Sequence, residues 1–440
     1  MKRLGHYRSQ RPVGEGSFHA ARVWSRIGDA ESSMTYVYDC GSQPKYRASL
    51  HREVDRYKAA VSRIDLLFLS HAHIDHVNGV ERLCDGITVD TVVMPLLGPT
   101  ERLMAFAHAF AQRSLRQQDL AFYQEFSSDP VATIGNLGVP RVIQVSGSLD
   151  DGLENTNDPP GDDILPVPQP PGLDDQLPEA WQLVGRGSVQ GFEHDGTAVI
   201  SMPDTVHFEL PATRAVTPWV LVPHVDQPIR RRAAEFEHRL HRALKVTPGW
   251  LKRSLLDPDF IRDLVTKRRR LLAKCYTDAI QSRDLNLTSL SLYSGPARPD
   301  ADPNGSVIRW GAGWSRDGWR RTHDRNGWTI PHPLRVGWLG TGDAALKQAI
   351  RREPFLAHFG RYAEGVRTLV LPHHGSVHNH SEKLLTELQP EICVAPADAF
   401  RNWQHPSPDV IAAVAQVAVP VHVASAPHTQ LCEWVEILAR

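Results

Sequence analysis

Along the chain, apolar and polar positions fall into two strand-rich stretches separated by a helical one. Ser17–Ser25 and Thr35–Asp39 carry β-branched and aromatic residues bounded by turn formers, which predicts two strands. Ile64–Ser70 is a short apolar run that stops at a polar cluster, as a buried strand does. Ile87–Pro95 reads as a further strand, and Thr100–Gln117 has helical spacing. After residue 180 strand character returns, including Trp219–Val222. The block Arg230–Lys274 then reads as two or three helices broken at Pro248, Gly249 and Pro258. The last third alternates again. Strands are predicted at Ser289–Tyr293, Arg335–Leu339, Arg367–Leu371 and Glu391–Ala395, and helices at Ala344–Arg352, Ser381–Leu388 and Pro408–Val417. No internal repeat of fixed period is present.

Two segments depart from this pattern by composition. Residues 148–180 are rich in Asp, Pro and Gly, which predicts a surface loop without regular structure. Its acidity reads as simple solvation or as a flap that mimics nucleic acid. The helical block holds fourteen Lys/Arg against five Asp/Glu, including Arg230, Arg231 and Arg232 and the run Lys267, Arg268, Arg269 and Arg270. Such a block either tracks a phosphate backbone or forms a solvated helix face. Over the whole chain Lys+Arg is 49 and Asp+Glu is 50, which excludes a uniformly basic nucleic-acid coat. The five cysteines are scattered, with no C-x-x-C, so they read as reduced thiols, not a disulfide frame or a thiolate zinc site. The first residues show no apolar signal segment and no run approaches the ~20 apolar residues of a membrane helix. A cytoplasmic location with no membrane association is expected.

The sharpest chemical feature is Ser70-His71-Ala72-His73-Ile74-Asp75-His76. Three imidazoles and a carboxylate lie within six residues, directly after an apolar strand. If extended geometry persists briefly, His71, His73 and Asp75 point to one side and His76 turns in from the next element. These are donor types that suit Zn²⁺ and related first-row metals.

This H-x-H-x-D-H pattern resembles the metallo-β-lactamase superfamily, and further segments match that family's landmarks in order. Tyr38-Asp39-Cys40-Gly41-Ser42 resembles the early Asp motif, Gly340-Thr341-Gly342-Asp343 the motif with the metal-bridging Asp, and Pro372-His373-His374-Gly375-Ser376 the late His motif. The resemblance implies an α/β metallo-β-lactamase-type four-layer αβ/βα sandwich with a helical insert. It would be one domain over 1–440, with a core about 14–147 and 284–440, the acidic Pro-rich loop at 148–180 and the basic helical insert at 226–280. It implies two divalent metal ions, zinc first and manganese second. His71, His73 and Asp343 would hold one, and Asp75, His76, Asp343 and His374 the other. Asp39 and His373 would support them from behind. Asp39 also reads as a plain turn residue before Gly41.

The late His-His-Gly-Ser, with His405-Pro406 further on, resembles the soluble domain of ComEC-type DNA-uptake proteins. That implies a phosphodiesterase or nuclease using a metal-bound hydroxide, with Asp75 orienting the nucleophile and His405 protonating the leaving group or contacting the oxyanion. His405 also reads as the plain start of a helix. There is a fainter likeness to cytosolic metallo-β-lactamase-fold proteins of multi-component bacterial systems, which implies a protein partner. The chain departs from the family where an intermediate His is usual. Arg283–Ser289 has none, and Asn286, Asp284, His224 or His405 are the candidates to replace it. Two other function classes stay open: a carboxyl-ester, thioester or lactam hydrolase, and a metal-stabilised partner-binding module without catalysis.

Overall fold

A computed structural model describes residues 2–112, 114–115, 117–147, 180–226, 230–280, 288–299, 307–314, 328–329, 335–398 and 405–439. Most of the acidic loop, and Asp284 and Asn286, lie outside these residues.

Two large mixed sheets face each other. One has eleven strands and the other eight. The larger is antiparallel where Lys2–Gln10, His19–Ile27 and Ala30–Tyr38 pair in register. It turns parallel through Leu66–Phe68, Thr91–Pro95 and Arg141–Ser146. The smaller is antiparallel through Val206–Leu210, Trp219–Asp226, Ser289–Pro296 and Gly337–Gly340. It then turns parallel through Val366–Val370, Ile392–Ala395 and Val421–Val423. Parallel strands need covered faces, because their crossover connections lay helices on the sheet. Three buried clusters match that need. One packs helices against the outer face of the larger sheet, one fills the space between the sheets, and one packs helices against the smaller sheet. The result is the four-layer αβ/βα sandwich of the metallo-β-lactamase type.

The strands Lys2–Gln10 and Leu431–Ala439 pair along nine residues. The sheet therefore begins at Lys2, ahead of residue 14. The basic block forms four helices: Arg230–Leu244, Pro248–Ser254, Pro258–Lys267 and Arg269–Ala279. Thr247 and Asp257 cap two of them, each followed by Pro at the first helical position. The third break, at Arg268, has no Pro or Gly to announce it. There the backbone turns at φ −118° and ψ 21°.

Between the sheets lie polar groups that the hydrophobic pattern does not reveal. His19 stacks on Trp338 with ring centres 3.9 Å apart, and neither ring nitrogen has a hydrogen-bond partner among the described residues. Burial, aided by Arg8, holds its pKa well below the usual 6.5. Since the folded-state value is depressed, its neutral form supports the fold fully above pH ~6.5. That support falls as the pH drops and the unfolded chain takes up the proton first, by up to about 1.4 kcal/mol per pH unit. His19→Phe is expected to flatten the fall of the urea midpoint between pH 7 and 5. An unchanged slope would show that His19 is not the group responsible.

Candidate metal centre

The strand Leu66–Phe68 ends just before the loop Ser70–His73, and the short helix Ile74–Val77 starts at His73 (φ −74°, ψ 150°). Extended geometry therefore does not reach Asp75. It enters the first turn of the helix and parts from His71 and His73, contrary to the alternation expected from the sequence. Donor atoms of His71, His73 and Asp343 form one group, and those of Asp75, His76 and His374 a second. The ring centres of His71 and His73 lie 4.6 Å apart, and those of His76 and His374 5.6 Å apart.

Asp343 stands between the groups. Its Oδ2 is 3.4 Å from His71 Nε2 and its Oδ1 is 3.4 Å from His76 Nε2. His374 Nε2 lies 3.9 Å from Asp343 Oδ1 and 3.7 Å from Asp75 Oδ2. The ring nitrogens Nε2 of His71, His76 and His374 are buried and make no hydrogen bond among the described residues. Spacings near 3.4 Å are what donors ~2.0–2.2 Å from a shared tetrahedral cation require. Orphaned, buried and converging donors fit two divalent cations.

Asp39 accepts hydrogen bonds from Ser70 N (2.7 Å), from Ser70 Oγ (2.8 Å) and from His76 Nδ1 (2.8 Å). A carboxylate can only accept here, so Nδ1 keeps its proton, and once the ring is neutral the lone pair is on Nε2, facing Asp343. Burial works against charge on His76, but Asp343 and Asp39 outweigh it and raise its pKa well above 6.5. Burial likewise opposes ionisation of Asp343, yet His373, His76 and His71 hold it well below the usual carboxylate range. Gln43 Nε2 donates to Asp75 Oδ2 at 2.9 Å. Tyr123 Oη, from the helix Gln117–Ser128, donates to Ala72 O at 2.6 Å and clamps the loop.

Close backbone approach needs glycine. A Cβ on Gly41 would come within 2.6 Å of the Asp75 and His76 backbone, and Gly342 has φ +51°. Asp39, His373 and His374 adopt left-handed conformations (φ 58°, 47° and 58°) without being glycine. His373 points Nε2 at Asp343 Oδ2 (3.8 Å), and its Nδ1 meets Asn379 Oδ1 at 3.2 Å. His405 lies with its ring centre 5.8 Å from that of His373, and its Nδ1 is buried without a hydrogen-bond partner among the described residues. Burial, then His374 and His373, push its pKa down to about 3.

The structure places other predicted residues elsewhere. His224 does not join the centre, because its Nδ1 faces Asp204 at 2.9 Å. Lys267, Arg268 and Arg270 are exposed. Lys267 pairs with Asp263, and the Arg269 guanidinium lies over the Phe110 ring. Arg232 is partly buried, and Arg230 and Arg231 open the first insert helix.

Sequence reasoning missed His108. It lies on the helix Pro99–Ala111, with its ring 4.9 Å from that of His73 and 5.4 Å from Tyr276 of the insert. Burial lowers its pKa to about 4. A lone His in the stripe Ala105-Phe106-Ala107-His108-Ala109-Phe110 was the only signal for it. A cavity of about 20 Å³ beside His71 and His73 is lined by Leu97, Glu101, Met104 and Tyr276. The insert thus reaches the wall of the centre.

Residues 33–209 match the family model of the metallo-beta-lactamase superfamily, so a domain of that superfamily is identified there. The matched span contains the His71–His76 loop but neither Asp343 nor His374. Among solved structures, the chain is similar to one described as a long form RNase Z from yeast. The identity is 10% and the TM-score 0.30, over 97% of this chain and 41% of that one. The chain therefore spans about two fifths of that structure's length. None of the curated proteins compared matches the chain.

Proposed function

We propose that this chain, as the bearer of a metallo-β-lactamase superfamily domain, is a metal-dependent hydrolase acting on phosphodiesters. The observation that carries the proposal is the Asp343 carboxylate, with one oxygen 3.4 Å from an imidazole of each group. His71, His73 and Asp343 would hold one cation. Asp75, His76, His374 and the same Asp343 would hold the other. Two divalent cations, zinc or manganese, when bound supply Lewis acidity and a nucleophile at neutral pH. The protein's own groups supply the rest. Asp75, steadied by Gln43, accepts a hydrogen bond from the attacking water and orients it. Asp39 keeps the His76 proton on Nδ1. His405, neutral at pH 7, is suited to oxyanion contact and not to leaving-group protonation, because a neutral imidazole still donates one N–H. His373 supports Asp343.

The phosphodiester class is favoured by the ComEC-type late motif and by the exposed cations Lys267, Arg268 and Arg270 on the insert. A second reading, a carboxyl-ester, thioester or lactam hydrolase, is favoured by the apolar residues Leu97, Met104 and Tyr276 along the cavity. The two separate in one assay. Wild type and an Asp75→Ala, His76→Ala variant would be given labelled single- and double-stranded DNA, RNA, bis-p-nitrophenyl phosphate, a carboxyl ester and a lactam, with Zn²⁺ or Mn²⁺. Cleavage lost in the variant is the expected result. Metal uptake with ester or lactam turnover and no phosphodiester cleavage would replace the first reading by the second.

The role of Asp39 has its own check. Asp39→Ala is expected to weaken binding of the cation at His76 by roughly 10–100-fold, the usual loss for a supporting carboxylate. Metal titration followed by elemental analysis reads this. An unchanged affinity would reduce Asp39 to a turn residue.

A further inference from the structure

A second cluster of metal donors lies outside this centre and is used by nothing above. Asp204 sits in the turn between the strands Thr197–Pro203 and Val206–Leu210, where the chain leaves one sheet for the other. His224 lies in the strand Trp219–Asp226 and His358 in the helix Ala349–Phe359, which covers that sheet. One donor atom from each lies within 4.8 Å of the other two. Asp204 is 1% exposed and His224 8%.

The hydrogen bonds of the two rings each use one nitrogen and leave the other in position to ligate. His358 Nε2 is 3.0 Å from the carbonyl oxygen of Pro223. A carbonyl only accepts, so the proton sits on Nε2 and Nδ1 keeps its lone pair. Metal-bound histidines commonly fix their tautomer in this way. The ring centres of His224 and His358 are 4.7 Å apart, close to the 4.6 Å of His71 and His73. Asp204 Oδ2 is held by His224 Nδ1 (2.9 Å) and Val225 N (3.2 Å). Phe355 and Phe359 pack on the His224 ring and give the cluster an apolar rim.

We propose that Asp204, His224 and His358 form a third, structural site for a first-row divalent cation of the zinc type. The ion ties the turn between the sheets, the strand Trp219–Asp226 and the helix Ala349–Phe359 together. An ion pair between Arg351 of that helix and Asp226 of that strand reinforces the same joint. The helix follows the segment bearing Asp343, so the ion braces the back of the loop that serves the candidate centre.

The test uses the full chain with His71→Ala, His76→Ala and Asp343→Ala, which takes ligands from both positions of the candidate centre without touching these three residues. After equilibrium dialysis against micromolar Zn²⁺, elemental analysis is expected to find one zinc per chain. Adding Asp204→Asn, or separately His358→Phe, is expected to remove it. Asp204→Asn keeps an acceptor for Val225 N, and His358→Phe keeps a ring against Phe359, so either guards against a folding failure of the other. Co²⁺ in place of zinc is expected to give a tetrahedral visible band in the background variant and none after Asp204→Asn. The same zinc content with and without Asp204→Asn and His358→Phe would overturn the site and leave a hydrogen-bonded Asp–His–His relay. So would no zinc in the background variant. Either result leaves the candidate centre untouched, because its cations are counted separately in the chain with His71, His76 and Asp343 intact.

Discussion

Asp343→Ala is expected to strip bound divalent metal from both positions of the candidate centre together. The loss of hydrolysis should exceed the roughly 10–100-fold that follows removal of a supporting partner. One carboxylate offers an oxygen to His71 on one side and to His76 and His374 on the other. Its removal takes a ligand from each cation and the shared negative charge that offsets their mutual repulsion. Elemental analysis of wild type and variant, with assays on the substrates named above, reads both effects. A variant that retains one cation at wild-type affinity would show that Asp343 serves a single position. A variant that retains both would remove it from the centre.

The second large effect concerns stability. Arg8 is 1% exposed, and its guanidinium joins both sheets. It donates to Glu433 Oε2 and Oε1 at 2.9 Å each, to Thr368 Oγ1 at 2.9 Å and to the Val336 carbonyl at 2.8 Å. Glu433→Ala would leave a buried guanidinium without its counter-charge, a change expected to destabilise by about 3–5 kcal/mol. Replacing both partners, Arg8→Met with Glu433→Leu, is expected to recover much of that loss, since no unpaired charge stays behind. Urea unfolding of the three proteins decides it. Equal losses in the single and double variants would mean that packing, and not charge, sets the effect. Burial opposes ionisation of Glu433, but Arg8 and Thr368 outweigh it and hold its carboxyl below the usual range. The pair's contribution is therefore present above pH ~4.5 and lost as the pH falls through the depressed value.

What could be read from the sequence was governed by locality. The donors His71, His73, Asp75 and His76 lie within six residues, and their chemistry shows without a fold. Asp343 and His374 became visible only through motif resemblance, because nothing local marks a carboxylate that works 270 residues away from its partners. The strands Trp219–Asp226 and Val366–Val370 are apolar runs and were legible, though Trp219–Asp226 runs on to Asp226 through a Pro and a His. The strands Lys2–Gln10 and Leu431–Ala439 were not expected. Arg8 and Glu433 interrupt their apolar pattern, and only the pairing of the two makes those charges tolerable inside. The break at Arg268 and the position of His108 depend on packing against other helices, so no local residue type announces them. Asp75 changed sides because a helix begins one residue after His73, a boundary that periodicity places only to within a few residues.

Ser70 carries a consequence for how the centre fills. Its Oγ lies 2.9 Å from His71 Nδ1, in one group, and 3.2 Å from His76 Nδ1, in the other, while donating to Asp39 at 2.8 Å. One hydroxyl with a single proton thus takes part in orienting an imidazole on each side. An ion that settles His71 also settles Ser70, and through Ser70 and Asp39 it settles His76. Occupancy of the two positions is then linked in free energy, and the linkage is reciprocal. Loading would follow a cooperative isotherm, and chelation would empty the pair together instead of one position at a time.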